Sequence, residues 1–256
     1  MKHAFVLLLM LALLLPTAFA ENATKTYEGD GFEHPEDAVE AYIEAFNRGD
    51  FSAMLSTFAI ETAVDHMNQR STAERLKAFL PNSPNARYFP VFDDYTRSVS
   101  IGLLVGEFSR GFSQQLLFYI WPPEYGDYDG SHVLFTSDDT VGKVNLFYDR
   151  LQESDFNQRY GRIEIRDFLS PEDLDLGDEY YSDENQKRLD KTCENYGCDE
   201  LKDLAVSLSI NSKHYIQYMQ CARFGERWYN YNLIGNLALL AHIDDATYGL
   251  VRQIDM

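Results

Sequence analysis

Apolar residues alternate strictly with small or polar ones in the C-terminal third of this 256-residue chain. Over residues 204–210 every second position is Leu, Val or Ile, and the residues between them are Ala or Ser. A period of two places the apolar side chains on one face of a β-strand, so the pattern predicts a strand with one buried face. Two more strands are predicted at 214–224 and 228–233, because turn-forming residues separate the three segments. We therefore expect a three-stranded antiparallel meander.

The N-terminal half predicts helices. At 34–37 the sequence His-Pro-Glu-Asp places a proline and two acids at a helix start, where the helix dipole favours acids. Apolar residues follow at helical spacing until Gly49, and Asp50 caps a second helix. Further helices are predicted at 71–80, 101–120, 144–151, 184–195 and 236–243, and further strands at 132–135 and 162–168. The expected fold is α+β, with a curved antiparallel sheet packed on N-terminal helices and an enlarged helical middle region.

The first twenty residues predict that the protein is exported from the cytoplasm. Lys2 precedes an unbroken apolar run at 4–15, and Ala-Phe-Ala at 18–20 has the small-x-small pattern of a signal-peptidase site. The run is too short to span a bilayer of ~30 Å comfortably, so we expect cleavage after Ala20 and no stable membrane anchor. The product would be a secreted, extracellular bacterial protein, or a periplasmic one if the source is Gram-negative.

Three segments follow from these patterns. Residues 1–20 are the predicted signal peptide, and the polar, glycine-containing residues 21–33 are expected to be a flexible lead-in. Residues 34–256 are expected to form one α+β domain, in which about 65–160 is a helical insertion.

The chain is strongly acidic, with 41 acidic and 22 basic residues and a formal net charge of −19. Such a field repels phosphate backbones and anionic membrane surfaces, so nucleic acid is excluded as an expected partner. The chain also contains 17 Tyr and 17 Phe. Tyrosines in this number suit either a binding surface or the packing of strands and helices.

The three cysteines indicate one disulfide. Cys193 and Cys198 are close in sequence, so in an oxidising compartment they can bridge and leave Cys221 as a buried thiol. The alternative is that all three stay reduced. The spacing does not predict a zinc site, because no His lies at ligand spacing, and we expect neither a metal nor a cofactor.

Two parts of the chain resemble a known superfamily. Residues 34–42 read His-Pro-Glu-Asp-Ala-Val-Glu-Ala-Tyr, residues 47–51 read Asn-Arg-Gly-Asp-Phe, and residues 224–229 read Phe-Gly-Glu-Arg-Trp-Tyr. The first two are similar to the opening helix pair of the nuclear-transport-factor-2-like superfamily, which includes ketosteroid isomerases and SnoaL-type cyclases. The third is similar to its closing hairpin. The middle, roughly 65–160, departs from the pattern because it is longer and more helical.

The resemblance implies a cone-shaped pocket between the helices and the sheet. Its candidate lining residues are aromatic: Tyr42, Phe46, Tyr218, Trp228, Tyr229 and Tyr231. The alternative is that these side chains fill the core. An isomerase would also need a carboxylate base, for which Glu164 and Asp167 are candidates by their place on a strand. The adjacent Asp65 and His66 are either an acid–base pair or surface charge.

No sharp catalytic motif accompanies these residues: the sequence contains no G-x-S-x-G, H-E-x-x-H or P-loop pattern. We therefore expect a secreted, non-catalytic binding or interaction domain for a small molecule or for an extracellular protein or glycan. The alternative is a small-molecule isomerase or cyclase that uses the cone as its active site.

Overall fold

The computed structural model describes residues 26–68, 70–71, 74, 91–120, 145, 162–169, 183–210, 213–232 and 251–254. Its helices and strands are α1 Pro35–Asn47, α2 Phe51–Ser56, α3 Glu61–His66, α4 Asp94–Ile120, β1 Glu164–Leu169, α5 Asp183–Tyr196, β2 Glu200–Ile210, β3 Lys213–Phe224, β4 Arg227–Asn232 and β5 Val251–Ile254. The predicted α+β class is confirmed. The predicted signal peptide, the strand at 132–135 and the helix at 236–243 lie outside the described residues, as do nearly all of the helices at 71–80 and 144–151.

In the described part of the chain the sheet has five strands, and its neighbouring strands pair antiparallel. The strand order is β1-β2-β3-β4, and β2 pairs with β3 along its whole length. The other edge of β3 is shared, because β4 pairs with residues 220–224 and β5 pairs with residues 214–217. The predicted meander is therefore present as β2, β3 and β4. The sequence did not predict β5, since four residues are too few to show an alternation.

The first helix packs on the face of the sheet that carries the alternating apolar residues. Leu204, Val206 and Leu208 are buried on this face. Cys221 of β3 lies on the same face, because it is paired with Lys202, which is two positions before Leu204 in β2. The Cys221 Sγ lies 3.6 Å from the carbonyl oxygen of Pro35, the first residue of α1. The apolar side chains of β2 therefore lie on the sheet face that α1 approaches, and they share one core cluster with Val39 and Ile43 of α1.

The prediction that β2 buries only one face is wrong. On the opposite face Ala205, Ser207 and Ser209 are also buried. Part of the cover comes from α5, since Arg188 of that helix reaches the buried Asp203 of β2. An alternation of apolar and small polar residues identifies the more apolar face, but it carries no information about whether another element covers the second face.

Residues 26–33, expected to belong to a flexible lead-in, make defined contacts. Phe32 and Trp228 exchange two main-chain hydrogen bonds of 2.9 Å, and the Gly29 N–H donates to the Ser56 carbonyl at 2.8 Å. Gly31 has a φ of +73°, and a Cβ there would lie 2.6 Å from Cζ of Tyr229, so this position requires glycine. The segment thus covers part of the outer edge of β4, which protects an edge strand from pairing with other chains.

Candidate functional site

A groove of about 410 Å³ lies between the first helix and the edge strand β1. Helix and strand each contribute four residues to its lining: Glu40, Ile43, Glu44 and Asn47 from α1, and Arg162, Ile163, Glu164 and Ile165 from β1 and the residues before it. We call this space the α1–β1 groove. Ile43 and Ile163 are buried, whereas the four charged side chains are exposed. The groove therefore has an apolar floor and a charged rim.

Asn47 holds the two walls of the α1–β1 groove together. Its Nδ2 donates to the Ile163 carbonyl at 2.8 Å, and its Oδ1 accepts from the Ile163 N–H at 3.0 Å. Asn47 is the last residue of α1 and is buried. The buried side-chain amide therefore satisfies both polar main-chain groups of Ile163 and positions the start of β1 against the helix.

The helix wall of the groove carries the carboxylates of Glu40 and Glu44, whereas the side chain of Glu164 lies on the opposite face of the sheet with Ser209. Glu164, a predicted candidate acid, forms an ion pair with Arg166 at 2.9 Å and is 53% exposed. Glu44 lies 3.9 Å from Arg48 and is 63% exposed. Enzymes tune catalytic carboxylates chiefly by burial and by neighbouring charge, and these side chains are not buried. Their exposure suits charge-based binding of a cation better than acid–base chemistry.

The six predicted pocket residues are all buried, but none of them lines the α1–β1 groove. Tyr42 packs in an aromatic cluster on the α1 face, with its ring centroid 5.5 Å from that of Phe58 and 6.4 Å from that of Phe46. Tyr218 lies on the opposite face of the sheet, because it pairs with Ala205. The structure therefore divides the six residues between two faces and does not place them around one space.

The remaining three members also have aromatic or cationic neighbours. The Tyr231 ring lies 5.0 Å from that of Tyr196, and the Arg223 guanidinium carbon lies 5.9 Å from the Trp228 ring centroid. Tyr229 lies 6.4 Å from Phe224. These contacts are those of core residues at the end of the sheet where β3 meets β4.

A buried carboxylate that sequence reasoning missed lies on the second face of the sheet. Asp203 accepts hydrogen bonds from Gln220 Nε2 at 2.8 Å and from Arg188 Nη2 at 3.4 Å, and its side chain is only 4% exposed. The signal was available in the sequence, since Asp203 is in phase with Ala205 and Ser207. The predicted strand begins one residue later, at Leu204, and the face that Asp203 shares was not expected to be buried.

The other predicted polar candidates do not form an acid–base site. Asp65 pairs with Arg97 through two hydrogen bonds of 2.5 and 2.7 Å, which raise the pKa of the arginine. The neighbouring His66 ring nitrogen Nδ1 lies 2.9 Å from the Thr62 carbonyl oxygen of its own helix. Asp167 is exposed, and its carboxylate accepts from the N–H of the next residue, Phe168. Asp65 therefore serves a helix–helix ion pair.

Cys193 and Cys198, the pair predicted from the sequence, form a disulfide with their Cα atoms 5.1 Å apart. Cys221 is a free, buried cysteine. Among the described residues, no three His, Cys, Asp or Glu side chains are grouped so that they could hold a metal ion. Across the same part of the chain, no helix combines the length and apolar character that a membrane crossing requires.

Comparison with known proteins gives one structural similarity. No family model matches the chain, and no curated protein matches it. Among solved structures, the chain is similar to a cystatin-like protein from Ruminococcus gnavus, at 14% sequence identity and a TM-score of 0.43. The match covers 87% of this chain and 45% of that protein, so the chain spans less than half the length of the solved structure. Similarity at this level assigns neither a ligand nor an activity.

Proposed function

We propose that the protein is an exported, non-catalytic binding domain that holds a positively charged, partly apolar ligand in the α1–β1 groove. The main support for this ligand is the composition of the groove, which is lined by Ile43 and Ile165 together with Glu40 and Glu44. An apolar floor with a few placed charges is typical of sites for small organic ligands. The volume of about 410 Å³ falls within the range of about 300–1,000 Å³ for such sites.

Charge supports a cationic ligand. The helix wall of the groove contains the carboxylates of Glu40 and Glu44, and the whole chain carries a net charge of −19. The field of such a chain raises the local concentration of cations and speeds their association, and salt screens this effect. Export is inferred from the predicted signal peptide, and the mass of the protein recovered outside the cytoplasm tests it: a chain beginning at Glu21 is expected.

Binding can be tested with benzylamine, which joins a cation to an apolar ring. Nuclear magnetic resonance titration of the full protein should show shifts at Ile43 and Ile165, and neutral benzyl alcohol should bind more weakly. Replacing Glu40 and Glu44 together with Gln should weaken benzylamine binding roughly 2- to 30-fold, since exposed ion pairs contribute about 0.2–1 kcal/mol each.

The matched control replaces Glu184 and Glu226 with Gln, because both are exposed and lie away from the groove. This control should bind benzylamine as the unaltered protein does. Equal affinity of the Glu40→Gln/Glu44→Gln variant and the unaltered protein would overturn the assignment of the site.

One observation favours the enzymatic alternative, a small-molecule isomerase or cyclase. Asp203 is a buried carboxylate on the polar face of the sheet, with Tyr218 on the same face of the neighbouring strand. A buried carboxylate near hydroxyl donors is the arrangement that enolising enzymes use. Under this alternative the protein exchanges the α-protons of enolisable ketones in D₂O, and Asp203→Asn abolishes the exchange. Exchange no faster than in buffer excludes it for the ketones tested.

A further inference from the structure

We propose that the occupant of the α1–β1 groove is an extended peptide segment with a basic side chain, which pairs with the main chain of Ile165 and extends the sheet beyond β1. This inference rests on the proposed function, because it names the class of ligand for the same groove. It is carried by the main-chain geometry of β1, which is independent of the charges on the rim.

The side chain of Asn47 already pairs with this edge of the sheet as a peptide would. An amide group that donates to one residue's carbonyl and accepts from the same residue's N–H reproduces the two hydrogen bonds of a paired antiparallel strand residue. Asn47 makes this pair of bonds with Ile163, at 2.8 and 3.0 Å. The main-chain groups of Ile163 therefore point away from β2 and toward α1.

The main-chain groups of Ile165, two residues further along the strand, point in the same direction as those of Ile163. Successive residues of a strand point their main-chain groups to alternate sides, so Ile165 directs its N–H and carbonyl to the same side as Ile163. β2 lies on the opposite side of this strand, where Ser209 and Leu208 are in register with Glu164 and Ile165. Among the described residues, only β2 pairs with Ile165, and Ile165 lines the groove. A main-chain amide of a ligand can therefore pair with Ile165, next to the Asn47 side-chain amide that pairs with Ile163.

The available edge is short. The register of β1 shifts between Ile165 and Asp167, and such a bulge interrupts the regular ladder. Pairing is therefore confined to Ile165, with Asn47 on one side and the bulge on the other. This limits the ligand to a short extended segment, in agreement with the size of the groove.

The opposite wall selects the side chains of that segment. Glu40 and Glu44 are four residues apart on α1 and so lie one above the other on the same face of the helix. A lysine or arginine side chain that leaves a strand paired with Ile165 meets these two carboxylates. Ile43 lies between them in the sequence and offers an apolar surface to the stem of such a side chain.

The test changes the ligand and leaves the protein intact. Three probes are titrated into the full protein by calorimetry: the peptide acetyl-Lys-Val-Lys-amide, the same peptide N-methylated at each main-chain amide in turn, and 1,5-diaminopentane. The unmodified peptide should bind most tightly, and methylation of one particular amide should weaken binding at least tenfold. Hydrogen exchange at the Ile165 amide should slow when the unmodified peptide is bound.

The outcomes separate the two proposals. If every methylated peptide, or the diamine, binds as tightly as the unmodified peptide and the Glu40→Gln/Glu44→Gln variant weakens them all, the main-chain pairing is overturned and the cation-binding groove stands. If neither the peptides nor the diamine bind, and benzylamine also fails to bind, both proposals are overturned. Unchanged exchange at Ile165 with bound peptide likewise overturns the pairing.

Discussion

Glu28 and Glu61 each direct a buried carboxylate to the main-chain N–H groups of the other's segment. Glu28 accepts hydrogen bonds from the N–H groups of Ile60 and Thr62 at 2.7 and 2.9 Å. In return, Glu61 accepts from the N–H groups of residues 26–28 at 2.8, 3.0 and 3.2 Å. The exchange fastens the segment before α1 to the start of α3, where helix N–H groups have no partner within the helix.

Replacing Glu61 with Ala should lower the free energy of unfolding by about 1–3 kcal/mol, because the N–H groups of residues 26–28, of which that of Glu28 is buried, lose their acceptor. Glu28→Ala should have a similar effect. The double variant should cost less than the sum of the two, since either change alone already loosens both segments. Chemical denaturation measures all three. Exposed Glu226→Ala is the control and should stay within about 0.5 kcal/mol of the unaltered protein. Strictly additive losses would mean that the two carboxylates act independently.

Leu208→Ala should destabilise the protein by roughly 2–5 kcal/mol, as the loss of a large buried side chain does. Leu208 is fully buried on the α1 face of β2. The matched control is Leu103→Ala, because Leu103 lies on α4 and is 48% exposed. Denaturant titration of both variants gives the comparison. Equal effects at the two positions would contradict the packing of β2 against α1.

Thiol counting should find no reactive thiol in the native protein and one after denaturation without reductant. Cys193 and Cys198 are bridged, and Cys221 is fully buried in β3. Alkylation followed by mass spectrometry identifies which cysteine reacts. After reduction and denaturation all three should be labelled. Labelling of Cys193 in the denatured, unreduced chain would show that the bridge is absent.

The stability of the protein should fall in alkaline solution through Cys221. Burial of the thiol, with a further contribution from the negative charge of Glu36, raises the pKa of Cys221 above its ordinary value. Above about pH 8.5 the unfolded thiol ionises while the folded one stays protonated, so unfolding is favoured by up to about 1.4 kcal/mol per pH unit. Cys221→Ala should lose this component of the pH dependence. Parallel stability curves for both proteins between pH 7 and 10 would contradict it.

Local sequence patterns were sufficient to predict the helices and strands whose apolar residues recur at a regular spacing. The alternation at 204–210, the proline and acids at 34–37 and the helical spacing at 101–120 predicted β2, α1 and most of α4. Each of these signals comes from residues within a few positions of one another, and the hydrogen bonds of a helix or the two faces of a strand depend on that spacing. The close pair Cys193 and Cys198 was predictable for the same reason.

The candidate site depends on contacts that no local pattern records. Asn47 and Ile163 are 116 positions apart in the sequence, and a buried Asn at the end of a helix is indistinguishable in sequence from an exposed one. Asp203 precedes the alternation at 204–210, and its burial depends on α5, which lies outside that pattern. The sequence by itself determined most of the helices and strands, although not β5, and which face of a regular element is the more apolar. Only the tertiary structure decided which polar groups became buried, because burial depends on the elements that pack above a residue, and these come from distant parts of the chain.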